Sequence, residues 1–293
     1  MSLAECVICA NQLNEAAKGK TIIKVVANQN PHTFVWFALE PAYAFCDAYN
    51  SSQFAMQYDK HLTGQTIKNA AAVLGGYSAY TFMYVGNHAL MFHVLTTLYH
   101  GKGKPRPKRH QLLLELDDGT ALSFCGSLGG PLFLFEVDGN GRAIDYISNF
   151  PSILSDEFSL EFFMNLIRNT PFKSMSAKEF LATKNRIPGL DNSILHEILW
   201  EAEVNPKTKM TALKEADFVR IYSAIKKVFP AVIAGGGKDT DKDLYGKFGG
   251  YKTHVSKNTL GAPCTRCGGI VVKEAFLGGA VYYCPQCQPL IKS

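Results

Sequence analysis

The sequence predicts an α+β protein: an N-terminal helix with a β-sandwich, then a helix–two-turn–helix region, then a small four-cysteine ribbon. Three observations carry this. Short β-branched and aromatic runs crowd the first half, helical apolar stripes follow them, and two Cys-x-x-Cys knuckles stand near the end. The chain divides into 1–150 (helix and sandwich), 151–235 (helical region), 236–257 (glycine-rich connection) and 258–293 (ribbon).

Taken in order, Glu5 to Ala17 places Val7, Ile8, Leu13 and Ala16 at helical spacing, and Gly19 stops the helix. Strands are expected over 21–26, 33–37, 79–85, 90–94, 112–116, 121–124 and 132–136. Asp117-Asp118-Gly119 and Asp138-Gly139-Asn140-Gly141 supply turns between them. Many short strands imply a sandwich or barrel. Pro151 and Ser155-Asp156 mark the exit. Four stripes follow: Leu160/Phe163/Met164/Ile167, Ala177 to Leu181, Ile194/Leu195/Ile198/Leu199/Ala202, and Phe218/Ile221/Tyr222/Ile225/Val228. Thr211 is a plausible N-cap for the fourth helix, and Pro230 is expected to close it. The stretch from Gly235 to Tyr251, glycine-rich and charged, has low packing capacity.

Cys264-Thr-Arg-Cys267 and Cys284-Pro-Gln-Cys287 are separated by sixteen residues that read as two strands around a glycine turn. Four thiolates at this spacing complete a tetrahedral zinc site with no open position. The expected Zn2+ is therefore structural. Of the other cysteines, Cys6, Cys9, Cys46 and Cys125 sit in apolar patterns, and the Cys6/Cys9 pair reads as a packed helix face.

At 293 residues and 47% hydrophobic content the chain can bury two modest cores besides the metal module. No run of about eighteen apolar residues and no secretory pattern is visible, so a cytoplasmic protein without a membrane partner is expected. The net charge of +5 is mild, and its distribution is more informative. Lys102, Lys104, Arg106, Lys108, Arg109 and His110 crowd one segment between glycines and prolines. This reads either as a flexible basic loop able to track phosphates or as a solvated hairpin tip.

Between the second and third helical stripes stands Lys184-Asn-Arg-Ile-Pro-Gly189-Leu-Asp-Asn192. Gly189 allows a tight turn, and the free amides of a helix beginning near Asn192 suit an anionic oxygen. Helix, turn, helix with amides aimed outward is one way to grip a DNA backbone.

The combination resembles the formamidopyrimidine-DNA glycosylase and endonuclease VIII family over nearly the whole chain. The likeness is most specific in Arg186 to Ala202, which is similar to that family's G-x-G-N-x-x-x-x-E-x-L segment, in Gly235 to Thr240, and in the ribbon. The resemblance implies a DNA glycosylase/AP lyase of base-excision repair. Its partner would be double-stranded DNA, preferably damaged or abasic, bound by a monomer at the nucleoid. In the family an N-terminal proline amine attacks C1′ of a flipped nucleotide and an adjacent glutamate handles protons. Those two positions fall on Met1 and Ser2, with neither identity retained. Asn192 and Lys184 match the family's phosphate contacts, while Arg106, Lys108 and Arg109 are candidates to extend the DNA footprint.

Other family positions depart as well. The hairpin lysine falls near Ser78-Ala79, the ribbon arginine on Gly279, and the void-filling arginine near Gly126 to Gly130, while Asp191 replaces a glycine. His93 occupies a place similar to a family histidine at the cleft, although a satisfied core histidine suits it equally. Two readings follow. Either the natural chain begins with a Pro-Glu pair just ahead of Glu5, or the protein is a noncatalytic binder of abasic, gapped or bent DNA.

Overall fold

The computed structural model describes residues 2–27, 37–38, 58–75, 78–92, 97–125, 132–137, 148–172, 174–183 and 186–291. The chain forms two compact units, one of residues 1–4, 148–241 and 248–293, the other of 5–147 and 242–247.

In the second of these units, helix α1 (Leu3–Ala17) leads into strands β1 (Ile22–Ala27) and β2 (Phe37–Ala38). Seven more follow: β3 (Ile67–Leu74), β4 (Ala79–Val85), β5 (His88–Phe92), β6 (Thr97–His100), β7 (Leu112–Leu116), β8 (Ala121–Phe124) and β9 (Leu132–Glu136). They make a four-stranded sheet ordered β1-β7-β8-β6 and a five-stranded sheet ordered β2-β9-β5-β4-β3. Between the sheets, Phe92 of β5 meets Phe124 of β8 edge to face at 4.8 Å. Elsewhere on the five-stranded sheet, Tyr80, Phe82, Met91 and Phe135 form a buried cluster. Cys6 and Cys9 are buried on α1, and burial pushes both thiols up, Cys9 to about 12, as befits a packed face.

Strands β3 and β6 escape the sequence reading. Strand β3 is rich in alanine, which has little strand preference, and antiparallel pairing with β4 fixes it. It is also an edge strand, and the Asn14 amide of α1 bonds both the N–H and the C=O of Ala70, at 2.7 and 2.8 Å. One side chain thereby blunts an open edge. Residues 242–247 join this unit too, with Leu244 wholly buried and its carbonyl accepting from the Tyr99 N–H at 2.8 Å. The Gln12 amide donates to Asp243 and accepts from the Leu244 N–H.

The other unit carries α2 (Leu160–Arg168), α3 (Ala177–Ala182), α4 (Asn192–Glu201) and α5 (Glu215–Ala234). Its hairpin is β10 (Val272–Phe276) with β11 (Gly279–Tyr283). Ser159 and Ser176 cap α2 and α3 through their hydroxyls. Two expectations about α5 are corrected. Thr211 lies in a 3₁₀ turn, and the helix begins after Lys214, whose N–H donates to Asp217 Oδ2 at 2.7 Å. Pro230 lies inside the helix with its ring exposed. The buried neighbours Phe229 and Val232 hold that turn in place despite the lost hydrogen bond. The helix ends at Gly235 instead.

The glycine-rich stretch after α5 is also better packed than its composition suggests. Backbone bonds from Gly250 to Gly235, Tyr251 to Gly237, Asp239 to Tyr251 and Gly249 to Lys238 fold it into a compact loop. A Cβ on Gly249 would lie 2.0 Å from the Gly237 carbonyl carbon, so the two strands of the loop touch backbone to backbone. Lys238 is 2% exposed and donates to the Ser193 carbonyl at 2.8 Å. No helix among the described residues is long and apolar enough to cross a membrane.

Candidate nucleic-acid interface and metal centre

The front of α4 is a built turn. The Leu190 N–H bonds the Ile187 carbonyl at 3.0 Å, and Gly189 takes φ +82°, which favours glycine. The carboxylate of Asp191 accepts from the Ser193 N–H at 2.9 Å and so serves as the helix cap. Helix α4 therefore begins at Asn192, as the sequence suggested. The Asn192 amide donates to the Ala280 carbonyl of β11 at 3.4 Å, and its Oδ1 is buried with no hydrogen-bond partner among the described residues. Near the other end of the chain, the Leu3 N–H bonds the Gly189 carbonyl at 2.8 Å. The start of the chain and the turn ahead of Asn192 are thus in direct contact.

The ribbon forms as its spacing predicts. Leu277 and Gly278 both take positive φ, 52° and 73°, giving the two-residue turn that matches strand twist. The sulfurs of Cys264, Cys267, Cys284 and Cys287 all lie within 4.8 Å of one another, with Cys264 to Cys287 at 3.7 Å and Cys267 to Cys284 at 3.5 Å. A tetrahedral zinc with bonds of about 2.3 Å needs sulfurs about 3.8 Å apart. The donor set fits the ion. Burial works to raise the Cys264 thiol, but the Trp200 indole and the Arg266 and Cys267 amides outweigh it and bring it to about 6. Burial and the neighbouring sulfurs push Cys287 the other way, since crowded thiolates repel until a cation joins them. Zinc here is structural, with all four ligands supplied by the chain.

Around the metal site, α4 supplies the support. The Trp200 indole N–H points at Cys264 Sγ, the Arg266 guanidinium lies 4.0 Å above its ring, and the His254 ring stacks on it at 3.8 Å. Glu197, 1% exposed, accepts from the His254 and Val255 N–H groups, from His254 Nδ1 and from the Tyr251 hydroxyl. One buried carboxylate therefore joins α4 to the glycine-rich loop and the segment leading into the ribbon. Burial and the charge of Lys178 lower the His196 imidazole to about 4, against the pull of Glu197 and the Ala280 carbonyl.

Sequence reasoning missed Lys178. It lies in the first turn of α3 and is buried, and its ammonium donates to the Phe276 carbonyl at the hairpin turn at 2.6 Å. A Cβ on Gly279 would be 3.5 Å from the same nitrogen. The position that the resemblance assigns to an arginine thus has an ammonium from another element beside it. Burial lowers the Lys178 pKa. A lysine in a short apolar stripe was the only available signal, and it does not reveal what the side chain reaches.

The basic segment is not a loose loop. Arg106 donates to Glu115 through Nε and Nη2, and to the carbonyls of Gly101, Lys104 and Gly119. Every N–H of its guanidinium is engaged inside the protein. His110 is buried with Nδ1 on the Pro107 carbonyl at 3.0 Å. Lys108 and Arg109 are exposed, as are Lys102 and Lys104. Ser2 is fully buried, and Ala79 is buried at the start of β4. Met1, Lys184, His93, Cys46 and Gly126 to Gly130 lie outside the described residues.

Residues 261–290 match the family described as a zinc finger found in FPG and IleRS. The chain is 28% identical over 241 residues to a formamidopyrimidine-DNA glycosylase of Legionella pneumophila, covering 79% of this chain and 82% of that protein. It is 27% identical to one of Mycolicibacterium gilvum, covering 78% and 83%. Among solved structures, a complex between the Lactococcus lactis Fpg and abasic-site DNA superposes with a TM-score of 0.76 at 21% identity, covering 99% of this chain and 100% of that one. At that identity the superposition speaks for the fold alone. The chain is thus similar to the formamidopyrimidine-DNA glycosylases in sequence over 79% of its length, in its zinc finger and in its fold.

Proposed function

We propose that this protein binds damaged DNA in base-excision repair and acts as a DNA glycosylase/AP lyase. The observation that carries the reading is the 2.8 Å bond from the Leu3 N–H to the Gly189 carbonyl, which holds the start of the chain against the turn that opens onto Asn192. An amine at the start of the chain would then lie close to a helix N-terminus fit to hold a phosphate. The relatives are named for glycosylase activity and the Lactococcus lactis protein was solved on abasic-site DNA. The same substrate class is proposed here.

In this mechanism Asn192 and Lys178 hold phosphate oxygens beside the target, with Lys184 assisting. The N-terminal amine, at the Met1 and Ser2 positions, attacks C1′ of a flipped nucleotide, displaces the base and leaves a protonated Schiff base that permits strand elimination. A primary α-amine of pKa about 7.7–8.0 is partly unprotonated near neutral pH, so it can serve as the nucleophile. Zinc holds the ribbon folded and takes no part in the chemistry. The protein would work as a cytoplasmic monomer at the nucleoid.

Borohydride trapping on a duplex with one abasic site tests this, using the chain as given and one rebuilt with Pro-Glu ahead of Glu5. A covalent adduct is the expected result. Tight binding without an adduct from either chain would instead make the protein a noncatalytic binder.

A further inference from the structure

We infer that the loop from Gly101 to Arg109 is a preorganised phosphate-binding element that grips duplex DNA. This rests on the proposed DNA-binding function and adds a surface to it. Five cations and no carboxylate lie in this segment, and their total equals the +5 net charge of the whole chain. Only Arg106 has a carboxylate partner among the described residues, Glu115 at 3.0 Å. Lys102, Lys104, Lys108 and Arg109 are exposed, and no ion pair involves them among the described residues.

A simple solvated tip would leave such charges on a mobile chain. Here the loop is closed at several points. The Lys104 N–H bonds the Gly101 carbonyl at 3.1 Å, with Gly103 at φ +72°. Pro105 and Pro107 fix φ on both sides of Arg106, whose guanidinium ties the loop to β7 and to the turn at Gly119. Lys102 runs its stem over Gly119, where a Cβ would come within 3.3 Å of its Cγ. At the far end the Cys125 thiol reaches the Arg109 carbonyl at 3.4 Å. Fixing four like charges close together costs repulsion, which a polyanion relieves by releasing its counterions. Arg106 is thus a positioning residue, and the phosphate contacts fall to its neighbours.

The test compares the protein with a variant carrying Lys102→Ser, Lys104→Ser, Lys108→Ser and Arg109→Ser. Kd for an abasic-site duplex of about 25 base pairs is measured between about 50 and 200 mM KCl. The slope of log Kd against log salt should fall by about 0.9 for each phosphate that the variant no longer neutralises, up to about 3.6. A variant with arginine at all four positions should keep the original slope. An unchanged slope in the serine variant, or an equal reduction in the arginine variant, would overturn the inference. Absence of any DNA binding by the unaltered protein would overturn the functional reading beneath it, a result distinguishable from failure of the loop alone.

Discussion

The indole N–H of Trp200 lies 3.3 Å from the sulfur of Cys264, so one of the two tryptophans in the chain is hydrogen-bonded to a zinc ligand. With Arg266 and His254 on its two faces, this indole has both the metal site and the loop at 254 as neighbours. Removing zinc with a strong chelator should unfold the ribbon, because a module this small depends on metal binding worth about 10–16 kcal/mol. In a Trp36→Phe background, the emission of Trp200 should shift to the red as zinc leaves. An unchanged spectrum with zinc fully removed would refute the coupling. Trp200→Phe should retain zinc but lose it about fivefold faster to chelator, the equivalent of one hydrogen bond of about 1 kcal/mol.

Glu197 is the acceptor for two backbone N–H groups, the Tyr251 hydroxyl and His254 Nδ1. Glu197→Gln replaces one acceptor oxygen by a donor and leaves some of those groups unpaired. A loss of about 3 kcal/mol in urea unfolding is expected. A loss below about 0.5 kcal/mol would mean the network is replaceable.

His196 gives a pH dependence of definite sign. Its folded pKa is lowered from 6.5 to about 4 by burial and by Lys178, so the folded protein favours the neutral ring. The stability is fully present above pH 6.5 and is lost as pH falls towards 4. Between pH 7 and pH 5 the loss should be about 2 kcal/mol. The ring faces Lys178, Lys238, Glu197 and the Tyr282 ring, and none of these supplies an overriding negative charge in that range. His196→Phe should flatten the profile over this interval while retaining the edge contact. An equal slope in both proteins would place the titration elsewhere.

Gly249→Ala tests the backbone contact inside the glycine-rich loop. Its new methyl would meet the Gly237 carbonyl carbon at 2.0 Å, and main chain cannot yield as a flexible side chain can. Destabilisation of about 3 kcal/mol is expected, with faster amide exchange over 235–251. Gly261→Ala has open space around it and serves as the control, although φ +77° there adds a smaller strain.

Much of this was legible in the sequence because it depends on local chemistry. Cysteine spacing determined the ribbon, period-3.6 stripes determined α2 to α5, and β-branched runs determined β1, β4, β5 and β7 to β9. The helix start near Asn192 was legible behind Gly189, whereas the fold shows that the Asp191 carboxylate caps it. Tertiary structure alone decided what depends on partners distant in the chain. Strand β3 has little propensity of its own and exists because β4 pairs with it and Asn14 covers its edge. Pro230 could remain within α5 because buried neighbours hold the turn. Arg106 reads as one more surface cation until Glu115 and three carbonyls engage it, and Lys178 gains meaning only where its ammonium meets the hairpin turn, 98 residues further along the chain. Spacing and periodicity are properties of neighbours in sequence, whereas burial and the pairing of charges belong to the folded arrangement that brings distant residues together.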